Sequence, residues 1–403
     1  MLDFDPDFDN LVLSPPTPPS NHSFTYNRCN CLDNIDVEKR IAAFYDVESR
    51  IKDTNGAYID TMDCMLTSSG MNAISLAVNA CIEKLKKIVY TAKWHLDDPD
   101  EHDYNESPYP IINITYGTEM YCDTERTLKY IEKTHRCIIR LIKLDLRGSI
   151  DAVMADWRSR ACPRDKKFCN IFLFESASNP NGELFRSELI GKFRKESSDM
   201  YTIIDNTWLT HLGCNPLSSS FGGKGCIADL IVTSLTKYYS GGTIIAGAII
   251  GWKEDEGLVD TARYRCAIPM GFHVSGIVGQ IVSKGLDTFG FRLSSAQSKA
   301  QTVVETIDKT NPHFYNLRIA KVDTDDHHFY APVFMIFYQG VSKNSIVKKC
   351  KKSKNVGYKT SYGGSDHRID PYLKSKADGI VCIRVSIGWK EDIKPLVRLL
   401  NSI

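Results

Sequence analysis

The sequence predicts an α/β protein built on a mostly parallel sheet, and three observations point to it. Short, almost continuously apolar runs recur along the first two thirds of the chain, helical stretches separate them, and past about Gly285 a long helical pattern leads into two further apolar runs. Strands buried on both faces lose the alternation of a half-exposed sheet, and a helix must carry the chain back to a parallel neighbour. That texture implies one sheet with helices on both faces, an N-terminal arm, and a smaller C-terminal α/β domain.

Residues 1–34 include SPPTPPS at 14–20 and predict an extended arm, since each proline removes an N–H donor and restricts the residue before it. Ile35, Val37, Ile41, Ala42, Phe44, Tyr45, Val47 and Ile51 recur near a 3.6 period and predict an amphipathic helix over 35–51. The strand run CMLTSS (64–69) then leads into helical MNAISLAVNACIEKLKK (71–87), and PIINITY (110–116) into TERTLKYIEKT (124–134). The strand runs CNIFLFES (169–176), MYTIIDNTW (200–208), ADLIVTS (228–234) and TIIAGAIIG (243–251) follow. A helical pattern over 294–309 precedes APVFMIFYQ (331–339) and IVCIRVSIG (380–388), and the basic segment VKKCKKSK (347–354) between them fits a solvated helix face. The expected units are an arm and helix at 1–56, a large α/β domain at 57–265 and a small α/β domain at 266–403.

Fifty Lys and Arg against 49 Asp and Glu leave a formal charge of +1 with no long like-charge block, which excludes a nucleic acid or an anionic membrane as the expected partner. The weakly charged stretches 238–252 and 266–283 are interrupted by Gly, Ser, Pro or His, too short to span a bilayer. The opening MLDFDPDFDN lacks the basic and apolar regions of an export signal, and thirteen cysteines without a CxxC fit reduced thiols, so the cytoplasm is the expected location. Asp323, Asp325, Asp326, His327 and His328 have no recognised ligand spacing and fit a solvated loop better than a metal site; Cys29 and Cys31 fit free thiols.

Chemistry concentrates at 231–251, where a strand runs into Ser234-Leu235-Thr236-Lys237 and a glycine-rich turn. Strand ends in open α/β sheets face the ligand crevice, and a partly desolvated lysine gives up its proton to become an imine-forming amine. Alone, S-x-T-K also describes a surface lysine after a strand. Asp205, which ends an apolar strand 32 residues upstream, fits either a turn cap or a carboxylate facing a pyridinium nitrogen, whose charge offsets its burial.

These segments and others, in one order from Tyr26 to Gly388, resemble the pyridoxal-phosphate (PLP) enzymes of cysteine and methionine metabolism, the cystathionine synthase and lyase family with the aspartate-aminotransferase-like fold (fold type I). Tyr26-Asn27-Arg28 resembles the Y-x-R that reaches a neighbouring subunit's phosphate. Ser68-Ser69-Gly70-Met71 resembles the phosphate-cradling S-S-G-M, where a glycine admits close approach and a helix start offers N–H groups. Tyr116-Gly117-Thr118 resembles the start of Y-G-G-T, whose tyrosine stacks on the cofactor. Glu175-Ser176-Ala177-Ser178-Asn179-Pro180 resembles E-S-P-T-N-P, whose asparagine serves the cofactor's phenolic oxygen and the substrate carboxylate. Asp205-Asn206-Thr207-Trp208-Leu209-Thr210 resembles D-N-T-F-x-T, with His211 where proline is usual and about seven extra residues within 218–226. Ser234, Thr236 and Lys237 match S-x-T-K, although the family's G-H-S-D reads Gly242-Thr243-Ile244-Ile245 here. Ser361-Tyr362-Gly363-Gly364 resembles S-L-G-G, and Arg384-Val385-Ser386-Ile387-Gly388 resembles R-L-S-V-G, whose arginine clamps the α-carboxylate.

The resemblance implies a PLP enzyme in which Lys237, Tyr116 and Asp205 act in catalysis. Gly70, Met71, Tyr116, Asn179, Asp205, Thr207, Ser234, Thr236, Lys237, Tyr26 and Arg28 would hold the cofactor, and Asn179, Ser361 and Arg384 a small amino-acid substrate. It implies a homo-oligomer, dimer or tetramer, with shared active sites. The expected reaction is carbon–sulfur elimination on cystathionine or a similar thioether. The alternatives are a γ-replacement transferase acting on activated homoserine and a catalytically silent homologue, and Thr360, where cystathionine γ-enzymes often carry Glu, leaves reaction type open.

Overall fold

A computed structural model describes residues 31–46, 51–52, 58–59, 61–93, 111–135, 138–161, 168–197, 199–218, 227–324, 327–353, 356–359, 361–375 and 379–403. The chain order is α1 (Leu32–Tyr45), β1 (Ile51–Lys52), β2 (Tyr58–Ile59), β3 (Met62–Thr67), α2 (Gly70–Lys93), β4 (Ile111–Gly117), α3 (Cys122–Thr134), β5 (Ile139–Leu144), α4 (Ile150–Ala161) and β6 (Phe168–Glu175). It continues through α5 (Glu188–Glu196), β7 (Met200–Asp205), α6 (Thr210–Gly213), β8 (Leu230–Ser234), β9 (Gly247–Trp252), α7 (Leu258–Asp260) and a π-helical turn (Thr261–Ala267). The last elements are α8 (Gly276–Thr306), β10 (Phe314–Thr324), β11 (His327–Gln339), α9 (Lys343–Lys352), β12 (Gly357–Tyr358), β13 (Arg368–Ser375), β14 (Ile380–Ser386) and α10 (Lys394–Asn401).

The large sheet has seven strands in the order β3-β9-β8-β7-β6-β4-β5, with β9 antiparallel to both neighbours and every other pair parallel. Successive side chains of β6 serve opposite faces: Ile171 and Leu173 join the core under α2, and Phe172 and Phe174 join Trp157 and Phe193 on the other side. Burial on both faces is why these strands read as unbroken apolar runs. A second, five-stranded sheet, β10-β11-β14-β13-β12, is antiparallel except for its β12–β13 edge. Ala296, Ala300 and Val303 of α8 share a core with Ile336, Ile383 and Val385 of this sheet.

Three boundaries differ from the sequence reading. Helix α1 ends at Tyr45, not Ile51, because Asp46 turns aside to accept from the Thr61 hydroxyl, and Ile51 pairs with Ile59 in a short antiparallel bridge. Helix α8 starts at Gly276 rather than 294, capped by Ser275, whose side chain accepts from Ile277 N–H. Three of its glycines, Gly276, Gly279 and Gly285, are contact points and not breakers: a Cβ on Gly285 would lie 2.5 Å from Tyr239 O. Asp323 lies opposite His328 and Thr324 opposite His327 in the β10–β11 ladder, while Asp325 and Asp326 lie outside the described residues. The basic segment forms α9, whose Lys348, Lys351 and Lys352 face solvent. No helix among the described residues is long and apolar enough to cross a membrane.

Candidate active site

Because β6, β7 and β8 are parallel and in register, their C-terminal residues Glu175, Asp205 and Ser234 emerge along one edge of the sheet. Asp205 lies directly opposite Glu175, and two carboxylates so close cannot both ionise cheaply. Burial, then the charge of Asp205, pushes the Glu175 carboxyl well above the usual range, while Tyr121 N–H donates to its Oε1 at 2.5 Å. Burial also raises Asp205, opposed by two hydrogen bonds from Thr207, N–H at 2.9 Å and hydroxyl at 2.6 Å to Oδ1, and by the ammonium of Lys237. A cation beside Asp205 therefore stabilises its ionised form.

Lys237 lies in the turn beyond β8. Its Nζ donates to the Ser361 hydroxyl at 3.1 Å and stands 5.1 Å from the Tyr362 ring centroid. Burial lowers its pKa, the positive charges of Arg384 and Arg368 lower it further, and Asp205 opposes them. An amine held below its ordinary range is closer to the unprotonated, nucleophilic form. Gly363, at φ +86°, packs so tightly on the lysine backbone that an added Cβ would lie 2.5 Å from Lys237 C. The Ser361 turn thus fixes both ends of this residue.

An anion cradle lies beside it. Helix α2 begins at Gly70, where a Cβ would meet Ser234 Cβ at 2.9 Å, and Gly247 faces the Ser69–Gly70 peptide closely enough that a Cβ would lie 2.5 Å from Ser69 O. The Asn72 N–H of this first turn is taken by the Ser69 hydroxyl at 3.0 Å, and the Gly70 end beside the Ser234 side chain would suit an anion. Thr207 ties the cradle to Asp205, since its hydroxyl also accepts from Ser234 N–H at 2.8 Å. Met71 is half-buried in the same turn and packs against the α2 core, and Asn179 occupies the turn after β6, half-buried. Arg384, on the central strand of the small sheet, forms an ion pair with Asp370 across to β13 at 2.9 Å.

The structure places two of the expected site residues, Tyr116 and Thr236, in other contacts. Tyr116 is only 4% exposed, packs within the α2-side core, and sits 6.0 Å from Lys143 Nζ; burial and the charges of Glu125 and Glu132 push its hydroxyl up to about 12. It faces β5 and α3, not the lysine. A second tyrosine, Tyr121, is 40% exposed, bonded through its N–H to Glu175 and close enough to Arg384 to feel its charge. Tyr121-Cys122-Asp123-Thr124 keeps the Y-x-x-T spacing of Y-G-G-T immediately before α3, the signal that would have found it. Thr236 spends its only hydroxyl proton on Ala246 O at 3.1 Å and accepts Ala246 N–H at 3.0 Å, so it closes the lysine loop and has none left for a phosphate. Tyr26, Arg28 and Thr360 lie outside the described residues, as does most of the 218–226 insertion.

The residues present fit PLP on three grounds. A buried carboxylate, Asp205, is stabilised by a cation; a glycine-lined helix start beside Ser234 suits a phosphate; and Lys237 offers a desolvated amine close enough to Asp205 to feel its charge. No metal-binding cluster occurs among the described residues.

Comparison with known proteins agrees. The chain is 30% identical over 189 residues to a cystathionine beta-lyase from Schizosaccharomyces pombe, covering 47% of this chain and 43% of the relative. It is 29% identical over 140 residues to an L-methionine gamma-lyase from Porphyromonas gingivalis, covering 34% and 33%. The matched segments thus span less than half of these curated relatives. Among solved structures, a cystathionine gamma-lyase from Micromonospora echinospora superposes with a TM-score of 0.66 at 17% identity, covering 95% of this chain and 92% of that one. A cystathionine gamma-synthase from Xanthomonas oryzae pv. oryzae superposes at 0.65 with 19% identity, covering 92% and 85%. At such identities the superpositions establish the α/β fold, fold type I. The Cys/Met metabolism PLP-dependent enzyme model matches residues 113–360, more than half of the 403-residue chain, and the chain belongs to that family.

Proposed function

We propose that this protein is a carbon–sulfur lyase that eliminates the β or γ substituent of cystathionine or a similar thioether amino acid. The observation that carries the proposal is the pairing of Lys237 and Asp205: an amine held below its ordinary pKa and a buried carboxylate feel each other's charge across one cleft. PLP supplies the electron sink for a carbanion at the substrate's α-carbon. Asp205 would keep a proton on the cofactor's ring nitrogen, and Thr207 holds that carboxylate oriented. The α2 start and Ser234 take the phosphate. Lys237 Nζ would hold the cofactor and, as a free amine once the substrate's amine has taken its place, would accept the α-proton, with Ser361 as its hydrogen-bond partner. Arg384 receives the substrate carboxylate, its planar fork steadied by Asp370. Tyr121 stands at the cleft mouth to deliver a proton to the departing sulfur.

Two matched relatives carry lyase names, for cystathionine and for methionine, which favours elimination over replacement. The test is keto acid released from cystathionine by the PLP-loaded protein, with and without an added thiol. Release without an acceptor supports the lyase; a product formed only with the thiol would make it a γ-replacement transferase; a protein that gains no absorbance with PLP would overturn both. The same reading extends to a homodimer or tetramer in which Tyr26 and Arg28 reach a neighbour's phosphate. Sedimentation as a monomer at every concentration would refute that part.

A further inference from the structure

We infer that Arg292, on the long helix α8, is a positioning residue for Lys237, holding the lysine turn through two consecutive backbone carbonyls. The inference extends the proposed function, since it assigns a residue that sets the geometry of the same amine.

Arg292 is 7% exposed and forms no ion pair with a carboxylate among the described residues. A buried guanidinium without a counter-ion is costly, so its donors must be matched elsewhere. They are matched by backbone: Nη1 donates to Tyr238 O at 2.8 Å, Nη2 to Tyr239 O at 2.8 Å and to Gly285 O at 2.7 Å, and Nε to the Thr288 hydroxyl at 3.0 Å. Burial draws its pKa down to about 10, still protonated at neutral pH.

Tyr238 and Tyr239 directly follow Lys237, so the guanidinium fixes the two peptide planes on which the lysine's direction depends. The turn is shaped around it: Gly241 adopts φ +69°, and a Cβ there would lie 2.7 Å from Nη1. From the other side Gly363 packs on the Lys237 carbonyl. The lysine backbone is therefore clamped between an arginine of α8 and the turn that also presents Ser361 to Nζ. Helix α8 shares its later residues with the core of the small sheet, whose central strand carries Arg384, so the clamp links the lysine turn to that sheet. A fork bonding two carbonyls cannot be copied by an ammonium, which is a single point charge.

The test reads the amine itself in the cofactor-free protein. Lys237 is acylated with acetic anhydride across pH and quantified by peptide mass spectrometry, in the native chain, in Arg292→Ala, in Arg292→Lys, and in Val303→Ala, a control that opens the α8 core away from the turn. If Arg292 positions the amine, Arg292→Ala shifts the acylation midpoint upward by about one pH unit, a tenfold change in the unprotonated fraction, as Nζ leaves its seat. Arg292→Lys shifts it nearly as far, and millimolar guanidinium restores the midpoint of Arg292→Ala while ammonium does not. Val303→Ala lowers the melting temperature and leaves the midpoint in place. Native-like acylation in Arg292→Ala, or the same shift in Val303→Ala, overturns the inference. PLP absorbance of the native chain is read separately, so a failure of the proposed function leaves this result standing.

Discussion

Replacing His211 by Phe should remove a defined part of the protein's acid sensitivity. His211 stacks on Phe44 with ring centroids 4.4 Å apart, lies 5.3 Å from Phe289, and shares a 3.1 Å hydrogen bond between Nδ1 and the Tyr239 hydroxyl. Burial lowers its pKa from 6.5 to about 4, so the folded chain keeps it neutral where the unfolded chain already binds a proton. Its contribution is complete above pH 6.5, declines as pH falls toward 4, and changes no further below that. The separation of about 2.5 units corresponds to roughly 3 kcal/mol. Phenylalanine preserves the stack and cannot titrate. Other groups, among them the buried His367, are common to both proteins and cancel in the difference. Urea unfolding at intervals from pH 7 to 4 should give a native protein that loses roughly 3 kcal/mol more than His211→Phe across this window. Parallel stability curves, within about 0.5 kcal/mol, would refute the claim that His211 is buried and neutral.

Three further outcomes follow from the site. Tyr121→Phe should lower kcat/KM about 100-fold at an unchanged melting temperature, and Tyr116→Phe should leave turnover intact; steady-state kinetics showing the reverse would return the role to Tyr116. Gly247→Ala should displace the Ser69–Gly70 peptide and weaken PLP binding about tenfold while leaving the affinity for phosphate-free pyridoxal unchanged, a contrast read by absorbance titration. Gly363→Ala combines φ +86° with a contact on Lys237 and should cost about 1–3 kcal/mol in thermal or urea melts, and weaken the Lys237–cofactor link with it.

The large sheet was legible wherever strands are covered on both faces, as in β6 and β8, because burial there leaves a continuous apolar signature. Strand β5 escaped notice for the opposite reason: at the sheet edge its six residues alternate, with the exposed Arg140 and half-buried Lys143 diluting the pattern. The first half of α8 was hidden by glycines that tertiary contacts require, a packing demand that no local propensity records. In the site, Asp205 and Lys237 were visible as short motif signatures beyond strand ends, and the structure brings them close enough to feel each other's charge. Tyr121 was missed because two tyrosines five residues apart compete for one motif, and only the point where β4 gives way to α3 separates them. Arg292 gave no sign because its partners are carbonyls, which sequence does not distinguish.

Where the chain departs from the family motifs, the substitutions engage one another around the lysine. His211 replaces a proline, and its ring fills the space between Phe44 and Phe289 while its nitrogen meets Tyr239. In place of G-H-S-D, Thr243 donates to Ser240 O at 2.7 Å, and Ala246 closes the loop by its paired bonds with Thr236. Tyr239 also meets the Tyr45 hydroxyl, 3.4 Å away, which connects α1 to the same support. Drift in a silent descendant removes partners one at a time and strands buried polar groups, each at a cost of about 1–3 kcal/mol. Here His211, Thr243 and Ala246 have partners whose bonds converge on the turn that carries Lys237, whereas Trp208, in place of the family's phenylalanine, is buried with no partner for its indole N–H among the described residues. That convergence is what selection for a fixed amine leaves behind, and it favours the lyase reading over the silent one.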